Sequence, residues 1–556
     1  LKKTTMRKKR CDPHFPELME QWHDQKISRR EFVRYAALLG MSVVGACELT
    51  GLAAPKKALA RENKIKRGGV LRVSTIIHSF DHPAKIAWSE STNIARQIGE
   101  YLTWTDKNNI TRPYLLKNWE ASPDLKTWTL NLRKGIKFNN NDHFTSDDVI
   151  FSLNQWLDPD VNSSMIGLMG GYLSRAGIEK TGNFQVRLHL NHPEIAVSEH
   201  LFHYPALILN HRTFEGDFIK APHGTGPYAM DLFRKADLCR LKRREDYNPY
   251  WGTGADDRPL PYMDGIEFIH GGDGINAHVS ALQNGTVDIV SGLSVNSMKL
   301  YNAVKNDSRI ALKKVASAGA HILRMRVDLR PWNDNRVRTA LKLCQHREKL
   351  WSLVDSSQGL LGQDFHVCPI HPEYCEKPTP AYDPEKSRSL LKEAGYGDGI
   401  HVDMTVTEDV ARHADILKLD AARGGFHINV TSISKKRHMN EWKDPPLGIT
   451  HWFGRPLGTI ALNLGYAGDK QGMPVPWNET RWTDGEFDRH LKIANGTIDV
   501  EKRRRIFCKL ERIQMERGSI GIAWWENSLM AMLKRVRDAE AHPTGHMLFN
   551  RVWLFR

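Results

Sequence analysis

Beyond residue 55 the chain has no apolar run approaching the roughly 18 to 20 residues that cross a bilayer as a helix, which excludes a spanning helix from the body of the protein. It has no GxxxxGK followed by Ser or Thr, and no GxGxxG opening a helix with an acidic partner downstream. A glycine cradle for phosphates therefore has no support, and His223-Gly-Thr-Gly-Pro-Tyr228 reads as turns. GxSxG, HExxH and CxxC are also missing, and no carboxylate pair stands out as acid and base. Asp147-Asp148 sits at a helix start and Asp256-Asp257 in a loop. The 25 histidines are scattered; the densest group, His189, His192, His200 and His203, reads as surface or core, not as a metal site. The expectation is no catalytic residues, no metal and no cofactor.

What is present is an ordinary globular composition, 40% apolar and 26% charged over 556 residues, enough for roughly two to four domains. The net charge of +15 is dispersed. Short clusters such as Lys435-Lys436-Arg437 and Arg503-Arg504-Arg505 read as solvated faces, so no nucleic-acid partner is expected.

Residues 119 to 151 carry the most information. Trp128, Leu130 and Leu132 alternate with Thr127, Thr129, Asn131 and Arg133, which predicts a half-buried strand. Lys134-Gly135 turns the chain, Ile136 and Phe138 resume the alternation, and turn formers follow from Asn139 to Asp142. Thr145 then offers a hydroxyl, and Asp148 a carboxylate three residues on, to the orphan N–H groups of a helix. The residues predict a hairpin feeding a capped helix.

This run resembles the signature of the family 5 extracellular solute-binding proteins of ABC importers, with Asn141 where Gly is common and Ser146 where Ala is common. Further motifs follow in order. Gly68-Gly69 leads a first strand, Ala281 to Ile289 resembles the family's A-L-x-x-G-x-V-D, and Asn335 to Glu348 resembles its V-R-x-A-L segment with His346 replacing the usual Asp. Asp383-Pro384-Glu385 opens a helix that ends at Gly395 and matches the family almost residue for residue. The resemblance implies an α/β fold of the type II periplasmic binding protein kind: two lobes with a hinge, plus an extra small α+β domain. Residues 66–112, 221–325 and 525–556 would form lobe I, 326–524 lobe II and 113–220 the small domain, with crossings near 325 and 525. It implies a monomeric binding protein for a small or peptide-like solute, with membrane permease subunits as partners. An exported enzyme or cofactor protein is the rival, and a receptor or chaperone role on the same fold a third possibility.

The resemblance also nominates a site. Thr450 to Thr459 aligns with the stretch in which peptide-binding relatives place an Asp for the peptide's α-ammonium. Trp452 stands there instead, and Arg455 replaces the acidic residue before Pro456. An aromatic face and a guanidinium fork suit an anionic or modified solute. His451, Phe453, Trp477, Asn478, Phe80 and Asp81 complete the expected pocket by position in the family pattern.

The first 60 residues read as an address and not a fold. Ser28-Arg29-Arg30-Glu31-Phe32 resembles the twin-arginine export motif, followed by an apolar segment, Tyr35 to Ala54, charged only at Glu48. The expected location is the periplasm. Ala58-Leu59-Ala60 is the favoured cleavage site, and Val44-Gly45-Ala46-Cys47 offers lipidation at Cys47 as the alternative. In an oxidising compartment Cys368 and Cys375, which bracket a short Pro/His-rich loop, are the expected disulfide, against two isolated thiols.

Overall fold

An 11-stranded mixed sheet organises the protein, seen here in a computed structural model that describes residues 15–50, 65–247, 254–272, 274–291, 297–356, 358–469 and 471–555. Its strands run in the order Phe426–Ile433, Ile400–Thr407, Leu447–Trp452, Ile310–Met325, Ile520–Leu533, Ile289–Ser291, Val70–Thr75, Gly265–His270, Leu238–Arg243 and Tyr228–Arg234. Leu360–Leu361 pairs with Ile520–Leu533 off this path. Parallel pairing joins Val70–Thr75 to both its neighbours and Ile400–Thr407 to Phe426–Ile433. Between these two parallel regions lie two long antiparallel strands of 16 and 14 residues, Ile310–Met325 and Ile520–Leu533. They carry the chain from one end of the sheet to the other. Residues 325 and 525 lie on these two strands.

Local sequence explains the elements. In Ile400–Thr407 the apolar positions 400, 402, 404 and 406 are buried while His401 and Asp403 are exposed, the period of two that a sheet with one covered face requires. Helices Asn335–Leu343 and Pro384–Glu393 start at Asp334 and Asp383, whose side chains accept backbone N–H groups of the first turn. Where the family pattern has Asp, His346 caps Arg347–Asp355 by accepting from the Lys349 N–H. Among the described residues no helix is long and apolar enough to cross a membrane.

Within 113–220 a separate four-stranded antiparallel sheet forms in the order Leu116–Ala121, Thr127–Leu132, Gln185–His189, Ile178–Gly182. Trp128, Leu130 and Leu132 face its core, as the alternation requires. Helix Ser146–Trp156 begins with the reciprocal Thr145/Asp148 box. Asn141 takes φ +70°, a left-handed turn that Asn tolerates better than most residues, which accounts for its standing in for Gly. Ile136 and Phe138 are not in a regular strand; Lys137 makes only an isolated bridge to His143.

Two expectations are corrected. Residues 15–50 do have a fold: helices Phe15–His23, Arg29–Leu38 and Val43–Thr50 lie against the body. Ser28 and Glu31 cap the second helix reciprocally, and Phe32, Val33, Tyr35, Ala36, Ala37 and Leu38 are buried. The reason is complementary surface. Arg503, fully buried, stacks 4.6 Å from the Tyr35 ring, Arg504 pairs with Glu31, and Arg34 donates to the Pro456 carbonyl. Two of the three arginines at 503–505 are thus packed against this segment instead of forming a solvated face. Ala58 to Ala60 lie outside the described residues. The second correction concerns the disulfide, which joins Cys375 to Cys508, with Cα atoms 5.1 Å apart. Turns at His371 and Tyr374 aim Cys368 into the core, where its thiol points at the Ser317 carbonyl, and leave Cys375 against helix Val500–Arg517.

Candidate ligand-binding site

Strand Leu447–Trp452 ends in the groove between the two parallel regions, and the loop after it supplies Phe453 and Arg455. An aromatic box forms there from Trp88, Tyr204, Trp442, Trp452, Phe453 and Trp477, with Thr450, His451 and Arg455 completing the wall. The rings brace one another edge to face, Trp477 standing 5.8 Å from Trp452 and 6.3 Å from Trp442. Trp88 comes from the N-terminal part of the chain and Trp442 from the C-terminal part, so both halves contribute. Trp88 also meets His438 across the groove at 6.0 Å.

Polar groups hold the box from behind. Glu479 is buried, accepting from the Trp452 indole and the Thr450 hydroxyl, each at 2.7 Å, and pairing with the Arg324 guanidinium at 2.8 Å. Burial pushes the Glu479 carboxyl up against the opposing pull of Arg324. The Arg455 guanidinium lies over the Tyr204 ring at 4.7 Å and over the Trp477 ring at 5.9 Å. It donates to the Phe453 carbonyl at 2.7 Å and to the Tyr204 hydroxyl at 3.2 Å, while its Nε has no hydrogen-bond partner. Among the described residues no carboxylate lines this box. Next to it, Ile76, His78, Trp88, Asp409, Lys435, His438 and His451 line a second compartment, with Lys435 3.9 Å from Asp409. Lys435 is therefore a groove residue and not part of a solvated run.

His451 belongs to both compartments. Its Nε2 lies 3.0 Å from Glu526, which also approaches His321 at 3.0 Å. Burial opposes the charge on Glu526, yet His321 and then His451 outweigh it and hold the carboxyl well below the usual range. Burial likewise disfavours the His321 imidazolium, but the Glu526 charge more than compensates and raises its pKa.

Of the expected residues, Trp452, Arg455, His451, Phe453 and Trp477 come together here. Asn478, Phe80 and Asp81 do not. Asn478 is fully buried, donating to the Trp482 carbonyl and accepting from Thr480, which fixes a turn. Phe80 is buried between the Phe233 and Phe218 rings, and Asp81 is exposed beside it. The loop after the first strand reaches the groove through Ile76, His78 and Trp88 instead. Sequence reasoning missed Tyr204, Trp442, Glu479, His321 and Glu526, which are joined only by sheet register and tertiary packing.

The chain resembles known proteins along most of its length. It is 25% identical over 485 residues to di/tripeptide-binding protein 1 of Pseudomonas aeruginosa, covering 79% of this chain and 85% of that one. It is 27% identical over 438 residues to a glutathione-binding protein of Salmonella paratyphi A, covering 76% and 82%. Its fold matches the ABC transporter-associated periplasmic binding protein DppA of Helicobacter pylori, solved with the peptide STSA, at a TM-score of 0.76 and 20% identity over 88% of this chain and 99% of that one. Residues 111–472 match the family described as bacterial extracellular solute-binding proteins, family 5 Middle, whose members bind solutes and do not transform them. The chain belongs to that family of extracellular solute-binding proteins.

Proposed function

We propose that this protein captures a small anionic or amine-blocked solute, peptide-like in size, between two lobes that close by hinging on the long strands Ile310–Met325 and Ile520–Leu533, and hands it to a membrane permease. The observation that carries the choice of solute is the chemistry of the box. Six aromatic rings and one guanidinium face the groove, while the nearby carboxylate, Glu479, lies behind the Trp452 ring and is already engaged by three side chains. In the box a free α-ammonium finds cation–π faces but, among the described residues, no carboxylate, and Asp409 in the adjoining compartment already stands 3.9 Å from Lys435, whereas a carboxylate or phosphate finds Arg455. Stacked rings also grip varied apolar portions without fixed hydrogen bonds. The likeness to di/tripeptide- and glutathione-binding proteins supports the peptide-like size.

The twin-arginine run at Ser28 to Phe32 supports export in a folded state to the periplasm, where such a clamp would work. Thermal shifts with a panel of ligands test the solute class. Acylated peptides, opines or sugar phosphates are expected to raise the melting temperature more than unmodified di- to pentapeptides do. A strong response confined to the unmodified peptides would overturn the choice.

A further inference from the structure

We propose that His321, His451 and Glu526 form a binding site for a divalent transition cation of the zinc, nickel and cobalt class. The three residues come from three adjacent strands. His321 on Ile310–Met325 stands directly opposite His451 on Leu447–Trp452, so both imidazoles leave neighbouring strands on one face of the sheet. On the other side of the same long strand, the register against Ile520–Leu533 shifts between Ala316 and Ala320 and again between Ala320 and Ile322. Such irregularities re-aim side chains, and here Glu526 points at the histidine pair.

The distances fit one cation. His451 Nε2 is 3.0 Å from Glu526 Oε2, His321 Nδ1 is 3.0 Å from Glu526 Oε1, and the three donor atoms all lie within 4.8 Å of one another. Donors on a tetrahedral ion at about 2.0–2.2 Å are separated by about 3.3 Å, so small rotations close the set. A second observation is independent of spacing. His321 is 5% exposed; its Nδ1 faces Glu526 at 3.0 Å, and its Nε2 has no hydrogen-bond partner among the described residues. Leaving a buried imidazole unsatisfied is unfavourable, and coordination removes that penalty. Asp409 and Asp355 also stand within electrostatic range of His321 and favour positive charge there.

Two imidazole nitrogens and one carboxylate oxygen select borderline metals over calcium or magnesium, which require more oxygen donors. Three protein ligands leave a position open. His451 lines both compartments of the groove, so that position faces the space in which a solute would sit, and a solute carboxylate or amine could complete the coordination. The site goes beyond the solute reading, because it concerns the cation alone.

The test uses the full chain, stripped with a chelator and dialysed against Co2+ without any added solute. One Co2+ per chain is expected, with the intense visible band of a four- or five-coordinate ion and hyperfine-shifted imidazole N–H resonances from two histidines in the unsubstituted protein. His451→Gln and Glu526→Gln should each weaken retention at least about ten-fold. His401→Gln, in the stacked His401–His427 pair 4.7 Å apart at the other end of the sheet, should leave it unchanged. If either groove variant fails to fold, the shifted resonances of the unsubstituted protein decide. No retained Co2+, retention insensitive to both groove variants, or retention lost in His401→Gln would overturn the proposal. A failed panel of solutes with an intact Co2+ spectrum would count against the solute class alone.

Discussion

Glu479 shows how a single side chain sets the site. It is 3% exposed and satisfies Trp452, Thr450 and Arg324 together, so the orientation of the Trp452 ring and the neutralisation of a 1% exposed guanidinium depend on it. Glu479→Ala leaves Arg324 buried beside a vacated space; urea unfolding should show a loss of about 3–5 kcal/mol. Equal stability would mean that Arg324 finds other acceptors. Its contacts to the Pro445 and Trp442 carbonyls already offer two. At this scale the sequence was only partly legible. Trp452, Arg455 and His451 could be nominated because they lie in one short stretch, whereas Glu479 is 27 residues past Trp452 in a turn whose motif drew attention to Asn478 instead. Phe80 was misplaced because an aromatic after a strand fits a pocket or a core equally well, and only the Phe218 and Phe233 rings decide between them.

Among elements, helix Val500–Arg517 ties together parts of the chain that are far apart in sequence. Cys508 on it bonds Cys375 across 133 residues, Arg503 meets Tyr35, and Glu511 accepts from the Cys375 N–H. Closing so long a loop restricts the unfolded chain, and Cys508→Ser should lower stability by about 2–4 kcal/mol, read as a shift in the urea midpoint. Cys368→Ser, which removes no crosslink, should leave the number of thiols titrated in the denatured protein lower by one and the disulfide intact. Finding instead that Cys368→Ser abolishes the crosslink would restore the pairing expected from spacing. Spacing misled because six residues of loop between two cysteines look like a ready ring, while the real partner sits on a distant helix that sequence cannot bring near. Caps and strand periods were legible for the opposite reason: Thr145/Asp148, Asp383-Pro384 and the 127–132 alternation are settled by neighbours within a few residues.

For the whole molecule, buried titratable groups shape the dependence of stability on pH. Burial lowers His200 and His413 to about 3 and His371 and His542 to about 4. The unfolded chain takes up these protons near pH 6.5 and the native state only near pH 4 or below, so stability is complete above about 6.5 and falls as the pH drops toward 4. Burial raises Glu100 and Asp355 to about 7, Glu194 to about 8 and Glu511 to about 9. Here the native state keeps protons that the unfolded chain releases near pH 4, so this stability is complete at low pH and is lost as the pH rises toward 9. Between pH 4 and 6.5 the two sets oppose. His203, His366 and His546, also held well below their ordinary value, join the histidines, and Glu199, Glu479 and Asp488, held above theirs by burial, join the carboxyls, so the two sets offset each other there. Thermal unfolding across pH should therefore show a shallow dependence between about pH 4 and 6.5 and a decline from there toward pH 9; a monotonic rise to pH 9 would contradict it.

The mixed α/β fold with its extra small antiparallel sheet was legible from ordered motifs, but the groove chemistry was not, since His321, His451 and Glu526 meet only through strand register. The central claim is that the protein grips a solute in that groove and leaves it chemically unchanged. Mass spectrometry of the compound released on denaturing the freshly purified protein tests this most directly. The account predicts one small compound per chain, recovered at unaltered mass after prolonged incubation and absent from Trp452→Ala. A covalent adduct on the chain, or conversion of the bound compound to a new mass, would contradict it.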